Sequence, residues 1–492
     1  MTDPKKAVII GSGFAGLSAA SFMAKAGWDV TLLEKNAGPG GRARQWISDG
    51  FTFDMGPSFY WMPDVFERYF EQFNKKTTDY YQLTRLDPSY RVYWQNDHTD
   101  IPASYEQLKI VFDSFEPGAG SRLDTYLKGA AYKYEMGMNR LVYKPGRSIT
   151  EFMDWQTISG IFKLDVFSNI RKHIHKYFNN PQLRQLMEFP VLFLGALPQD
   201  TPALYSLMNY ADIRGGTWYP QGGMYSVVNG MYQLAVELGV KFRFNEEVLQ
   251  ISIEKNAAKT VISNKGRYDT MAVISGADYQ FTESALLPPE SRTYSSSYWD
   301  KKVMAPSCLL YFVGINKKME NIPHHSLFFD ASFDQHGKEI YSDPKWPENP
   351  LFYVSISSRT DKDSAPPGCE NLFFLVPVAS GLTGDTEELR EVYFNRIADR
   401  FEKRTGQTIR DSIICKKTYS LSDFVSDYHS YRGNAYGLAN TLKQTAIFKP
   451  SCKSKKVSNL FYTGQLTVPG PGVPPSLISG EVVAREVIKT FV

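Results

Sequence analysis

KAVIIGSGFAGLSAASFMAKAGWDVTLLEK, Lys6 to Lys35, decides how the chain begins. Ala7 to Ile10 is a short apolar run and reads as a strand. Gly11, Gly13 and Gly16 follow in G-x-G-x-x-G spacing. Phe14 to Ala26 is rich in Ala, Leu and Met and reads as a helix, which Gly27 stops. Val30 to Leu33 is a second strand, and Glu34 ends it. Each residue type has a physical job. Gly11 permits the tight turn, Gly13 admits a pyrophosphate close to the backbone, and Gly16 lets the helix lie close to the sheet. The helix N-terminus offers free N–H groups and the positive end of its dipole to phosphate. Glu34 lies where an acid accepts hydrogen bonds from ribose hydroxyls. The stretch predicts a Rossmann-type α/β unit holding a dinucleotide.

The residues that follow distinguish between dinucleotides. In KNAGPGGRAR, the pair Gly40-Gly41 with Arg42 stands close behind the ribose acid. Such a Gly-Gly-Arg stretch gives a second backbone approach along a diphosphate, as flavin enzymes use; the plainer reading of Arg42 and Arg44 is a solvated basic loop. No second G-x-G-x-x-G stands between a strand and a helix: Gly118 and Gly120 come nearest, but they follow FDSFEP and lack the third glycine. One dinucleotide is therefore expected, and FAD is its identity. GFTFDMGPS, Gly50 to Ser58, alternates Phe51, Phe53 and Met55 as a strand does, and Gly56-Pro57-Ser58 reads as a tight turn near the ring system or as a plain structural turn.

With 492 residues, 42% apolar and 14% aromatic, the chain is long enough for two or three interleaved units around large cores. A net charge of +3 gives no case for nucleic acid. Cys308, Cys369, Cys415 and Cys452 lie far apart, and neither they nor the seven histidines show metal-ligand spacing, so no metal and a reducing, cytoplasmic setting are expected. The longest apolar block, Phe189 to Leu197, is about half of the ~20 residues a membrane span needs.

Farther along, WYPQGGM precedes a helix over Tyr225–Leu238 and a strand over Lys241–Phe244, then a strand pair and the buried run MAVISGAD. This pattern reads as a return to the first unit, with Val248 a candidate for packing on the adenine. CLLYFVGI, LFYVSIS and LFFLVPVA read as strands of a second sheet able to line a cavity, and ELREVYFNRIADRFEKRTG as an amphipathic helix ending at Gly406. DVFSNIRKHIHKYF, Asp165 to Phe178, has an apolar stripe (Phe167, Ile170, Ile174, Phe178) with Arg171, Lys172, His175 and Lys176 on its other faces. It reads either as an interfacial helix docking on a membrane or as a surface helix packing inward. No Ser-His-Asp or Cys-His constellation emerges, and no catalytic acid or base is picked out by spacing.

GQLTVPGPGVPPSLISG, Gly464 to Gly480, precedes apolar positions at helical spacing from Leu477 to Phe491. Pro474 and Pro475 are tolerated in a first helical turn, and glycine keeps its entrance uncrowded. The run reads as a backbone cradle for the isoalloxazine ring, Gly472, Val473 and Pro474 facing it and the N–H groups of the following turn meeting the pyrimidine edge; the alternative is a rigid C-terminal cap.

Taken together, IGSGFAGLSAA, LLEKNAGPGGRAR, GFTFDMGPS, RLDPSYRV, WYPQGGM, DYHSYRGNAYGLANTLKQTAIFKP and NLFYTGQLTVPGPGVPPSLISG resemble, in order and over most of the chain, bacterial carotenoid desaturases of the phytoene desaturase type. Gln465, Leu466 and Pro471 stand where that family usually carries small residues. The resemblance implies a discontinuous, flavin amine oxidase-like FAD domain joined to a mixed α+β substrate domain. The expected division is 1–80, 216–285 and 441–492 for the FAD domain, 81–215 for a substrate and membrane-associated part, and 286–440 for the substrate sheet and helices. The FAD-contacting set is expected to be Gly11, Gly13, Phe14, Ala15, Gly16, Glu34, Lys35, Gly41, Arg42, Gly56, Pro57, Ser58, Val248, Gly464, Gln465, Gly472, Val473 and Pro474. The implied reaction is oxidation of a long linear carotene such as phytoene, hydride leaving for the flavin and a proton leaving the adjacent carbon. Oxygen or a membrane quinone is the implied electron acceptor, with the protein cytoplasmic and peripherally bound to the membrane. Other readings are desaturation of a later 1-hydroxy or monocyclic carotenoid (3,4-desaturation), carotenoid cis–trans isomerisation, a non-enzymatic lipid chaperone on the same scaffold and, on fold alone, amine oxidation.

Overall fold

A computed structural model describes residues 5–148, 151, 168–441 and 443–491. Its first sheet is built from three distant parts of the chain. Five parallel strands run in the order Leu460–Tyr462, Ala272–Ser275, Lys6–Ile10, Asp29–Leu33 and Lys241–Arg243. Ile9 lies opposite both Leu32 and Ile274, and all three are fully buried. Strands covered on both faces need near-continuous apolar runs, which AVII, TLL and AVIS provide.

The helix Phe14–Lys25 follows the first strand, and the last helix, Val473–Thr490, lies against it. Their approach is set by glycine. A methyl group on Gly480 would lie 2.3 Å from Ala15 O and 2.6 Å from Ser18 Cβ, and one on Gly16 would lie 1.9 Å from Gly11 O. The two helices therefore cross almost backbone to backbone. A three-stranded antiparallel sheet, Val248–Glu254, Ala257–Ser263 and Arg267–Asp269, flanks this unit. Lys255 and Asn256 turn its first hairpin with φ of 47° and 59°, the left-handed conformation that a tight two-residue turn demands.

The second large sheet has seven strands in the order Ile413–Tyr419, Ser307–Ile315, Glu370–Val378, Phe352–Ser355, His325–Phe328, Tyr90–Tyr93 and His98–Ile101. Its strands are antiparallel except where His325–Phe328 meets Tyr90–Tyr93. The two strands between Tyr90 and Ile101 thus share one sheet with strands more than two hundred residues later. Successive side chains alternate between its faces. Leu309, Tyr311 and Val313 face the helix Glu387–Thr405, where Tyr311 and Phe374 pack on Phe394. Cys308, Leu310 and Phe312 face the opposite way, into the core shared with the first unit.

The described part of the Asp165–Phe178 stripe is interior. Among its described residues Ile170–Ile174 is helical, and Ile170, Ile174 and Phe178 are fully buried; Phe178 packs on Phe112 and Tyr126. Asp165, Val166 and Phe167 lie outside the described residues. Arg171 is tied to Glu188 and Asp334 at 2.9 and 2.6 Å. Core packing uses the stripe that an interfacial helix would present to lipid. Among the described residues no helix is long and apolar enough to cross a membrane, and no group of three or more His, Cys, Asp or Glu is arranged for a metal ion.

Gly480→Val should force the first and last helices apart. We expect a loss of at least about 1–3 kcal/mol of stability, the ordinary cost of overpacking, read as a lower thermal midpoint together with loss of bound cofactor.

Candidate functional site

One cavity of about 460 Å³ runs from the glycine turn of the first unit to the seven-stranded sheet. This lies within the roughly 300–1,000 Å³ of small-molecule and cofactor sites. Its two ends differ in chemistry.

The polar end is built on the first helix. Gly11, Gly13, Phe14 and Ala15 line it. No side chain caps that helix and its first turn carries no acid, so its N–H groups and positive dipole end face the cavity. A methyl group on Gly13 would meet no protein atom within 4 Å and would project into open space. Gly16, by contrast, does not line the cavity; it is the point where the helix touches the backbone of Gly11. Glu34 is buried at the end of the second strand. Ser12 donates to its Oε2 from N–H and Oγ at 2.8 and 2.7 Å, and Asn36 donates to Oε1 from N–H and Nδ2, both at 2.9 Å. Four donors fix that carboxylate where a ribose would lie. Beyond it sit Val248 and Lys35, whose Nζ donates to Ser426 O at 2.6 Å. Phe281 and His429 stack there at 4.0 Å, and His429 Nε2 lies 2.6 Å from Glu247 Oε1. Sequence spacing gave no sign of this aromatic pair, because its members are some 150 positions apart.

The Gly-Gly-Arg loop forms the middle of the floor. Gly40 N–H donates to Ser12 O at 2.9 Å, and Gly41 lies against Gly13. Arg42 lines the cavity as a buried guanidinium rather than in a solvated loop. Its Nη2 donates to Ser430 Oγ at 3.0 Å, and the group lies 5.1 Å over the ring of Tyr428. Burial lowers its pKa while Asp278 and the tyrosines oppose that effect, and its Nε has no partner among the described residues. Arg44 pairs with Asp427 and lies over Tyr428 and Tyr419. The late motif around Asp427 to Asn434 therefore grips the early loop, and Tyr428 Oη donates to Gly41 O at 3.1 Å. Gly56 is required because a methyl group there would lie 2.3 Å from Arg42 O, and Pro57 and Ser58 continue along the cavity wall.

Gly464, Gln465, Gly472, Val473 and Pro474 close the middle from the other side. Gly464 N–H donates to Ser479 Oγ at 2.9 Å. Gln465 has its side-chain amide 3.1 Å from Arg42 Nη2; turned with its oxygen toward the guanidinium, it accepts a hydrogen bond there. Gly472 has φ of 110°, a conformation that L side chains rarely adopt, and caps the last helix with no side-chain partner. That helix offers fewer donors than its sequence position suggests. Pro474 and Pro475 carry no N–H, and Ser476 N–H bonds Gly472 O at 3.0 Å. Among the described residues Val473 N–H has no partner in the first turn.

The far end is hydrocarbon. Phe59, Trp61 and Phe189 face Leu310, Leu327 and Leu375 of the large sheet and Phe333, Ile340 and Tyr341 of the helix Phe333–Tyr341. The carboxylates and cations on the described lining all belong to the polar end. His336 is a neutral wall: its Nδ1 accepts from Leu351 N–H at 3.0 Å, its Nε2 lies 2.9 Å from Pro377 O, and burial lowers its pKa to about 4. Burial also pushes the Cys308 thiol up to about 12. The strands of Cys308, Leu310 and Leu375 were read from sequence as able to line a cavity; Phe59, Trp61, Leu327, Phe333, Ile340 and Tyr341 look there like ordinary core.

These features fit FAD: open space at Gly13, a preset ribose acid, a buried arginine with an unpartnered Nε and two helix N-termini converging on one cavity. Gly13→Val should leave the fold intact, since a methyl group there meets no protein atom within 4 Å, yet fill the space where a pyrophosphate would bind. The expected result is a soluble protein with the thermal midpoint of flavin-stripped parent and no 450 nm absorbance after gel filtration (roughly where free flavins absorb).

Residues 14–488 match the family described as flavin containing amine oxidoreductase. The chain is 41% identical over 485 residues to the carotenoid 3,4-desaturase of Haloarcula japonica, covering 98% of this chain and 97% of that protein. It is 29% identical to a zeta-carotene-forming phytoene desaturase of Myxococcus xanthus, covering 99% of this chain and 94% of that one. Among solved structures, an oxidoreductase from Methanosarcina mazei superposes with a TM-score of 0.63 at 15% identity, covering 98% of this chain and 100% of that one, a likeness of fold. With a two-helix cradle suited to FAD beside a hydrocarbon chamber, the chain belongs to the flavin-containing amine oxidoreductase family, in its carotenoid desaturase branch.

Proposed function

We propose that the protein introduces a double bond near one end of a carotenoid, a 3,4-desaturation. The observation that carries this reading is the single cavity that passes without a partition from the FAD cradle into an uncharged, hydrocarbon-lined half. Bound FAD supplies a two-electron acceptor. The chain's own residues bind, orient and exclude water. Leu310, Leu327 and Leu375 offer a polyene a dry surface, where each buried CH₂ contributes about 0.8 kcal/mol. His336 and Cys308 stay neutral beside it, so no fixed charge opposes the entry of hydrocarbon. No nucleophile is required, because both bonds that break are C–H bonds. The kinship with the carotenoid 3,4-desaturase of Haloarcula japonica favours reaction near an end of the chain.

Phytoene is the second substrate reading, favoured by the kinship with the Myxococcus xanthus enzyme. A carotenoid reaches a protein from lipid, so the enzyme is inferred to work at a membrane surface, with oxygen or a quinone as electron acceptor. The buried stripe at Ile170, Ile174 and Phe178 is not the docking element in this reading. Amine oxidation has the fold in its favour but not the uncharged half of the cavity, which offers an ammonium no counter-ion.

The test is turnover in liposomes. FAD-loaded protein should convert an acyclic, already conjugated carotenoid to a product with one more conjugated double bond at its end, seen as a red-shifted spectrum and resolved by chromatography. Phytoene should be converted at least about tenfold more slowly. Preferential phytoene turnover moves the assignment to the second reading, and isomerised but not oxidised product moves it to an isomerase.

A further inference from the structure

Desaturation removes two hydrogens from adjacent carbons. One leaves as hydride; the other leaves as a proton while its C–H electron pair becomes the new π bond. The hydrocarbon half of the cavity has no carboxylate to take that proton, and a bare charge in a low-dielectric space is costly. The proton needs a way out.

A second, smaller cavity lies behind the Gly56–Ser58 turn. Its volume is about 20 Å³, and about 10–15 Å³ suffices for a water molecule. Asp54, Ser58, Tyr219, His324, Ser355, Ser357 and Asn371 bring polar groups to its walls, beside the rings of Phe53 and Phe373. Ser58 lines both cavities and is the partition between them. Tyr353, on the wall of the main cavity, has its hydroxyl 2.6 Å from His325 Nδ1, with the Ser58 and Ser355 hydroxyls beside it. Asp54 is at the other side, partly exposed, and is held by Met224 N–H at 2.6 Å and Tyr225 N–H at 3.2 Å at the start of the helix Met224–Glu237. Its neighbour Tyr219 donates to Asp361 Oδ2 at 3.0 Å, which also accepts from Gly222 N–H at 2.9 Å. A dry cavity, a hydroxyl in its wall, a water-sized space and a half-buried carboxylate are brought together here.

We propose that this small chamber is the proton outlet of the reaction: water within it, reached through the Ser58 hydroxyl, passes the proton released from the substrate carbon to Asp54 and on to bulk solvent. The inference rests on the desaturase reading. The balance is one proton out per double bond formed; Ser58 gives its own proton to the chamber water as it accepts one from the cavity side, and Asp54 ends each cycle ionised again.

The groups facing Asp54 set its titration. Burial raises its pKa to about 6; the Met224 and Tyr225 N–H groups and the Gln45 amide, 3.4 Å away, oppose this, and the Asp361 carboxylate adds to it. Tyr219 faces it as a neutral phenol, and His324, whose pKa burial depresses to about 3, as a neutral imidazole. Asp54 therefore accepts a proton above about pH 6 and is already protonated below it.

The test uses FAD-loaded parent, Asp54→Asn and Ser58→Ala in carotenoid liposomes, with first-turnover rates followed against pH and in D₂O. The parent rate should fall as pH drops below about 6. Asp54→Asn should be at least about tenfold slower, in line with loss of a proton-transfer group, and should lose the acid limb between about pH 5 and 8. Ser58→Ala, at parental flavin content, should be slower with an enlarged solvent isotope effect. In the parent without substrate, infrared difference spectra should show two carboxyl bands, that of Asp54 titrating near pH 6 and that of Asp212, whose pKa burial raises to about 7, and Asp54→Asn should remove the first. Parental rate and isotope effect in Ser58→Ala overturn the outlet even where Asp54→Asn fails to fold, and so does an Asp54→Asn spectrum that has lost no carboxyl band. A parent that oxidises no carotenoid overturns the desaturase reading and the outlet with it, an outcome distinct from an active parent with silent variants.

Discussion

The backbone-to-backbone crossing of the first and last helices is the constraint on which the rest depends. Gly480 has Ala15 O and Ser18 Cβ where a side chain would be. Because the helices touch there, their N-termini open on one cavity. Because the last helix is held, the loop from Gly464 to Gly472 lies over the Gly-Gly-Arg turn. The crossing joins residues more than 460 positions apart, and the strand Leu460–Tyr462 at the sheet edge pairs with Ala272–Ser275, another distant part of the chain. Assembly of the cofactor cradle is therefore a late, long-range event that needs both chain ends, and a loop-closure cost of this kind falls on folding rate more than on final stability.

Polarity is divided along the cavity. At one end every charged group has partners: Glu34 has four donors, Arg42 has Ser430 and Tyr428, Lys35 has Ser426 O. At the other, the titratable groups are held neutral by burial. Arg42 stands between, touched by the late motif on one side and by Gln465 on the other. The departure of Gln465 from a small residue thus has a structural use: its amide takes up part of the hydrogen-bonding capacity of a buried guanidinium.

Local regularities were legible in the sequence, and long-range ones were not. The first strand, the helix from Phe14 and the second strand follow from apolar spacing and glycine, and their limits differ from the observed ones by a single residue. The start of the last helix followed from proline and glycine at Gly472–Pro475. The stripe of Ile170, Ile174 and Phe178 was ambiguous for a physical reason: apolar residues at helical spacing look alike whether they face lipid or core. The stack of Phe281 on His429, the grip of Tyr428 on Gly41 and the partition at Ser58 have no local signature, since each joins chain segments that only the fold brings together.

The alternation along Ser307–Ile315 and its neighbours separates two kinds of mutation. Leu309, Tyr311 and Val313 meet the helix Glu387–Thr405, whereas Cys308 and Leu310 form the cavity wall on the other side of the same strand. Substitutions at odd-numbered positions act on stability, and those at Cys308 or Leu310 act on what the chamber admits. Two traits under different selection thereby occupy one strand with little interference, so substrate range can drift among descendants of this scaffold while the sheet that carries it stays unchanged.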